Sequence, residues 1–274
     1  MQTKFKFAET ELPEGRSQLS QLIRESGDVI DIENTARILG LSRTNASKRL
    51  ARWTTQGWLR RVSQGTYLPV PLDSLSSEHV LDDPWILVPP LYSPAYIGGR
   101  TATEYWDFTE QLFKDVVVIT ARPVRTRNQQ HHGARFTVKH IQEKKIFGLK
   151  PVWRHQTKVM ISDVHRTIID LLDDPALGGG IQHVADCLAA YLDRPDRHDT
   201  TLIEYAERLG NGAIFKRLGF LLDSNKEAGQ LVADCLKRIT KGNAKLDPTF
   251  ACSKLVSRWH LWIPPAWVER GSHD

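Results

Sequence analysis

The sequence predicts an α+β protein in two parts. Three observations carry that expectation: three helical-period segments followed by a strand pair within the first 72 residues, mixed strand-like and helix-like runs from Asp82 onward, and a mostly helical remainder after Gly180. A chain of 274 residues is long enough for two ordinary domains. With 41% hydrophobic and 25% charged residues, wholesale disorder is excluded.

In the first part, Arg16 to Ser26 sets Leu19, Leu22 and Ile23 at helical spacing, with Gly27 as C-cap. A second helix starts after the N-cap residue Asp31, places Ile32, Ala36 and Leu39 on one face, and ends at Gly40. A third starts at Ser42, sets Ala46, Leu50 and Trp53 at i, i+4, i+7, and breaks at Gly57. Leu59 to Val62 and Thr66 to Val70 read as strands joined through Ser63-Gln64-Gly65. Helix, helix, tight turn, helix, hairpin is the order of a winged helix-turn-helix. Pro69, Pro71 and the polar run Asp73 to Ser77 place its boundary near residue 73, giving an expected N-terminal domain over 1–73 and a second domain over 74–274.

In the second part, Trp85 to Val88 and Val116 to Ile119 read as buried strands, and Ala134 to Ile141 as a half-exposed one. Helices are expected over Thr101 to Phe113, Asp163 to Leu172, Ile181 to Tyr191, Thr201 to Leu209, Ala213 to Leu222 and Glu227 to Ile239. The expected whole is a larger mixed α+β domain with a helical C-terminal part.

Charge is unevenly placed. Residues 1–72 hold 11 Lys or Arg against 7 Asp or Glu, and from Asn34 to Leu72 there are seven basic residues and no acid. The apolar stripe of the third helix leaves Arg43, Thr44, Asn45, Ser47, Lys48 and Arg52 on the other arc, with Arg49 at its flank. Arginine and lysine engage phosphates or guanine, asparagine pairs with adenine, and hydroxyls bond to either, all from a helix slim enough for the major groove. Arg60 and Arg61 on the hairpin are the expected phosphate contacts. A merely solvated face normally interleaves acids, and this one has none. The expected partner is double-stranded DNA.

No window reaches about 18 uninterrupted apolar residues, and the start Met1 to Lys6 lacks the apolar core of a signal peptide, so a cytoplasmic protein with no membrane partner is expected. Cys187, Cys235 and Cys252 have no chelating spacing and are expected to be buried apolar residues; no cofactor and no metal is expected.

The hairpin ending Gly65-Thr66-Tyr67, Pro94-Ala95-Tyr96-Ile97-Gly98-Gly99 with Thr101-Ala102 and Tyr105-Trp106, Ile161-Ser162-Asp163, Arg166 to Leu172 and Gly178 to Ile181 follow one another over most of the chain up to about Tyr191. In these blocks and their order the chain resembles the AbiEi-type antitoxins of type IV toxin-antitoxin systems, in which an N-terminal winged helix is followed by an antitoxin domain. The resemblance implies a repressor of its own operon that binds inverted repeats in the promoter, and an antitoxin that counteracts a cognate nucleotidyltransferase-type toxin, with the route of neutralisation open. Each block also has a purely structural reading: Gly98 and Gly99 as a tight turn, Asp163 as a helix cap, Arg166 with Asp170 as an i, i+4 pair.

An enzymatic alternative is a nuclease of the PD-(D/E)xK kind, with Glu143, Lys144 and Lys145 beside a strand and Asp107 or Asp115 as the second carboxylate. The E-x-K spacing is weak by itself, and no phosphate loop or nucleophile elbow is present. The protein is therefore expected not to be an enzyme. Adjacent His131 and His132 point apart on any regular element and read as a loop. That loop sits among Arg122, Arg125, Arg127, Arg135 and Lys139, which read either as a second basic surface or as a locally solvated strand pair.

Overall fold

The computed structural model describes residues 14–70, 83–223, 225 and 228–268, all within an α+β fold. The chain divides into two compact units, Met1–His79 with Trp153–Thr157, and Val80–Val152 with Lys158–Asp274. The boundary expected near residue 73 and the polar run Asp73 to Ser77 fall outside the described residues.

The first unit runs α1 (Glu14–Ser26), β1 (Ile30–Asp31), α2 (Ile32–Leu39), α3 (Arg43–Thr55), β2 (Leu59–Ser63) and β3 (Thr66–Pro69). The expected signals act as caps. The Asp31 side chain accepts from the Asn34 backbone, the Ser42 side chain accepts from Asn45, and Gly40 closes α2 in the left-handed region at φ 62°. The hairpin β2–β3 turns through Gln64 and Gly65, the latter at φ +81°. Unexpected is β1, which pairs antiparallel with β3 (Ile30 with Tyr67, Asp31 with Thr66) and makes a sheet of order β1-β3-β2. Two residues are too few to carry a period. Leu19, Leu22, Ile30, Leu50, Trp53, Leu59 and Tyr67 form the core of this unit. Burying each of its larger apolar side chains contributes about 1.5–3 kcal/mol.

The second unit begins with a 3-10 turn (Pro84–Leu87) and α4 (Val88–Tyr92), where a strand was expected. The segment is buried as anticipated, but the Asp83 carboxylate caps it at the Trp85 N–H, and Pro89 and Pro90 cannot donate to a sheet ladder. Then come β4 (Ala95–Ile97), α5 (Gly99–Tyr105), β5 (Asp115–Thr120), β6 (Asn128–His131), β7 (Ala134–His140), β8 (Leu149–Arg154) and β9 (Thr157–Ser162). These strands form a mixed sheet of order β6-β7-β5-β4-β9-β8. β5 runs parallel to β7 and antiparallel to β4. Pro151 is accommodated because β8 is an edge strand. α5 stops well before Phe113: Asp107 turns into the left-handed region at φ 56°, and the Phe108 N–H closes back on the Thr103 carbonyl. His131 ends β6 and His132-Gly133, both at positive φ, form the two-residue hairpin turn to β7, so only one of the two histidines lies in a loop.

The helical layer comprises α6 (Val164–Asp173), α7 (Ile181–Leu192), α8 (Asp199–Leu209), α9 (Gly212–Leu222) and α10 (Gly229–Leu236). Asp163, His198 and Asn211 cap α6, α8 and α9 with their side chains, and buried Asp247 accepts from the Ile181 N–H at the start of α7. The tail is not simply helical. β10 (Ala244–Lys245), β11 (Lys254–Val256) and β12 (Leu261–Ile263) form a small sheet, and Trp259 beside it is fully buried in the helical core. Gly219 of α9 lies against the Trp259 ring, where a Cβ would sit 1.8 Å from a ring carbon. Cys187 and Cys235 are buried, whereas Cys252 is half-buried with its thiol donating to the Asp247 carbonyl.

Candidate nucleic-acid interface

Trp53, Leu50 and Ala46 hold α3 against the core of the first unit. That fixes the opposite arc, on which Arg43, Thr44, Asn45, Lys48 and Arg52 are exposed, while Ser47 and Arg49 are half-buried at its flanks. Two of the cations are less open than the sequence implies. Arg49 donates to the Gln18 side chain of α1 at 2.6 Å and lies 5.8 Å above the Trp53 ring. Arg43 pairs with Glu33 at 3.2 Å. Glu33 immediately precedes the acid-free stretch, so the counting window missed a carboxylate that the fold returns to the helix. Both partners are well exposed, and such a pair is weak and screened by salt.

Arg60 and Arg61 were expected to act together. They are consecutive residues of β2, paired with Leu68 and Tyr67 respectively, and consecutive strand residues face opposite sides of the sheet. Arg61 is exposed with its Nε on the Ser63 carbonyl, and Arg60 is half-buried. One hairpin face therefore carries one of them, not both.

Two grooves border α3. A shallow one of about 270 Å³ is lined by Leu41, Asn45, Lys48, Arg49 and Arg52. A larger one of about 520 Å³ is lined by the start of α1 (Glu14, Gly15, Arg16), by Arg49, Arg52, Trp53 and Gln56, and by Trp58. Arg16, Gln56 and Trp58 were not among the expected site residues. Arg16 belongs to the polar face of the first helix, and nothing in a linear sequence places that face beside the end of α3.

In the second unit the expected basic stretch is largely neutralised by acids distant in sequence. Arg135 pairs with Asp115 at 2.7 Å, Arg127 with Asp174 at 3.5 Å, and Lys139 with Asp173 at 2.6 Å and Asp174 at 3.4 Å. Against the upward push of burial, Lys139 and the Asn211 side chain hold the Asp173 carboxyl below the usual range. Arg122 is exposed and donates to the Leu91 carbonyl, and Arg125 is exposed. The five side chains do not make one continuous cationic face. Along the chain, Lys144 to Ser162 has five Lys or Arg and no acid; Trp153, in the part of that run assigned to the first unit, is 66% exposed.

The nuclease constellation does not assemble. Glu143, Lys144 and Lys145 form a 3-10 turn beyond the end of β7. Asp115 stands level with Arg135 at the other end of the β5–β7 pair, which extends five further residues to His140, about 17 Å along the strands, and Asp115 is held by Arg100 and Arg135. Asp107 serves the left-handed turn after α5. Among the described residues no group of three His, Cys, Asp or Glu could hold a metal ion.

Apart from the hairpin ending Gly65-Thr66-Tyr67, which belongs to the first unit, the blocks that carry the family resemblance lie in the second unit, where several of them meet in its interior. Arg166, fully buried on α6, donates to Asp170 Oδ1 at 2.9 Å and to the Tyr96 hydroxyl of β4 at 2.8 Å, and its guanidinium lies 4.2 Å from the Phe147 ring centroid. Gly98 backs onto Asp170, where a Cβ would approach Oδ2 to 3.1 Å, and Gly99 at φ +56° packs against the Leu177 carbonyl. Trp106 Nε1 donates to the Ser162 carbonyl, and Thr101 Oγ1 accepts from the Val117 N–H. The motifs therefore serve as internal joints of the fold. Among the described residues no helix is long and apolar enough to cross a membrane.

Neither a protein-family model nor a curated protein matches the chain. Among solved structures it is similar to the RV2827C protein from Mycobacterium tuberculosis, with a TM-score of 0.63 and 17% identity over 92% of each chain. At that identity the likeness concerns the fold.

Proposed function

We propose that the first unit is a winged helix-turn-helix that binds double-stranded DNA, with α3 as the recognition helix and β2–β3 as the wing. The observation that carries this reading is the exposed arc of α3, where Thr44, Asn45, Lys48 and Arg52 stand together on a helix anchored by Ala46, Leu50 and Trp53. Amide, hydroxyl and ammonium groups on one rigid helix face are the chemistry of base-edge readout, while Arg52 at the end of the arc and Arg61 on the hairpin supply phosphate contacts. By its resemblance to AbiEi-type antitoxins, the protein represses its own operon through inverted repeats and counteracts a nucleotidyltransferase-type toxin through its second unit.

The test is a binding titration against the duplex upstream of the protein's own gene and against a scrambled duplex, at two salt concentrations. Preferential binding with a steep salt dependence supports the repressor. Equal, weak binding to both duplexes removes it. Growth rescue on co-expression with the product of the adjacent gene tests the antitoxin role independently.

A further inference from the structure

The larger groove beside α3 has chemistry of its own. Its lining sets three arginines, Arg16, Arg49 and Arg52, against one carboxylate, Glu14. Glu14 is engaged by the Gln18 amide at 3.1 Å, and the Gln18 carbonyl oxygen in turn receives Arg49. That relay joins α1 to α3 and holds Arg49 in the groove wall. Arg16 is exposed and its guanidinium lies 5.9 Å over the Trp58 ring, which confines a long side chain. Arg52 lines both this groove and the shallow one on the recognition arc, so the two are adjacent.

We propose that this groove seats a backbone phosphate of the bound duplex, gripped by Arg16 from α1 and Arg52 from α3, with the Gln56 amide as a further donor. Arg49 is a positioning residue that fixes the wall through Gln18. The inference rests on the DNA-binding reading above. Two features favour a phosphate over a base edge. The donors are cationic and come from two helices, and the groove meets the exposed arc of α3 only at Arg52, beyond Thr44, Asn45 and Lys48. The contact fixes how deep and at what angle α3 enters the groove, and it reads no sequence.

The experiment measures anisotropy of the full-length protein on the upstream duplex and a scrambled duplex across a salt series, for wild type, Arg16→Ala and Arg24→Ala. Arg24 is an exposed arginine in the last turn of the same helix and does not line the groove, so its variant reports the effect of net charge alone. Arg16→Ala is expected to reduce the slope of log K against log salt by about 0.9 and to weaken both duplexes by the same factor, with the melting temperature lowered only by the loss of its exposed contact with Trp58. Arg24→Ala is expected to move the slope much less. Equal effects of the two variants would reduce the result to net charge and overturn the phosphate seat. Loss confined to the upstream duplex would mean that Arg16 reads bases, and would overturn it as well. If wild type fails to bind either duplex, the DNA-binding reading itself fails, an outcome distinct from a silent Arg16→Ala on a wild type that binds.

Discussion

Replacing Arg166 with methionine removes a fully buried charge from the second unit. The substitution keeps an unbranched, apolar stem and removes the ion pair with Asp170, the hydrogen bond to Tyr96 and the cation over Phe147. Hydrogen bonds to charged groups contribute about 1.5–3 kcal/mol each, and a desolvated cation–π contact about 0.5–2 kcal/mol. The larger effect is what stays behind. Asp170 is 4% exposed, and its Oδ2 already lacks a hydrogen-bond partner, so the remaining carboxylate keeps only the Tyr96 hydroxyl, which donates to Oδ1. Stranding such a charge typically costs about 3–5 kcal/mol, and that is the expected loss in urea unfolding followed by tryptophan fluorescence at pH 7. The loss should shrink in acid. Burial already pushes the Asp170 carboxyl up, Arg166 opposes that push, and removing Arg166 raises it further. A carboxyl whose folded pKa exceeds its unfolded value binds its proton more tightly when folded, so the variant gains stability relative to wild type as pH falls through the folded pKa. Adding Asp170→Leu to Arg166→Met should recover most of the stability, since a buried pair replaced by apolar groups is often neutral. A cost below about 1 kcal/mol for Arg166→Met at neutral pH, or a cost that does not fall as the pH is lowered, would refute the reasoning.

Gly219→Ala would drive a methyl into the buried Trp259 ring, so a loss of about 1–3 kcal/mol or more is expected by thermal or chemical melting. Arg52→Ala, at an exposed position on α3, should weaken the upstream and the scrambled duplex by the same factor and reduce the salt slope by about 0.9, without lowering the melting temperature. Arg49→Ala should weaken binding and also lower stability, since it loses Gln18 and the Trp53 ring, a double effect that binding and melting measurements on one variant would separate. Ser42→Ala removes the cap of α3 and should cost about 1 kcal/mol, read as a shift in the unfolding midpoint.

Local signals carried much of the fold, and long-range pairings carried the rest. Asp31, Ser42, Asp163 and Gly40 act where their chemistry placed them because a cap depends on neighbours within four residues. Trp85 to Val88 misled because a short apolar run is equally consistent with a strand and with a buried turn, and the two prolines after it were the deciding feature. The tail sheet escaped notice because its strands are two or three residues long. The site behaves likewise. The exposed arc of α3 follows from helical period, but the pairing of Arg43 with Glu33, of Arg135 with Asp115 and of Lys139 with Asp173 depends on which elements the fold brings alongside. Charge counted along a chain is a poor guide to charge on a surface when the balancing acids come from other elements.

Asp31 belongs to two structures at once. It is the last residue of β1, paired with Thr66, and the cap of α2, with its carboxylate taking the Asn34 backbone and side-chain donors at 2.7 Å and its carbonyl taking the Thr35 hydroxyl. No slack separates sheet from helix. The hairpin and the α2–α3 pair are joined at a common corner and cannot tilt independently, so the span between the tip of the hairpin and the exposed arc of α3 is set during folding. On the duplex that the proposed function gives this unit as partner, such a two-pronged gauge would not adjust its own width. Any mismatch has to be absorbed by the nucleic acid, and sequences whose grooves already have the matching spacing, or bend cheaply to reach it, gain an advantage even at base pairs no side chain touches.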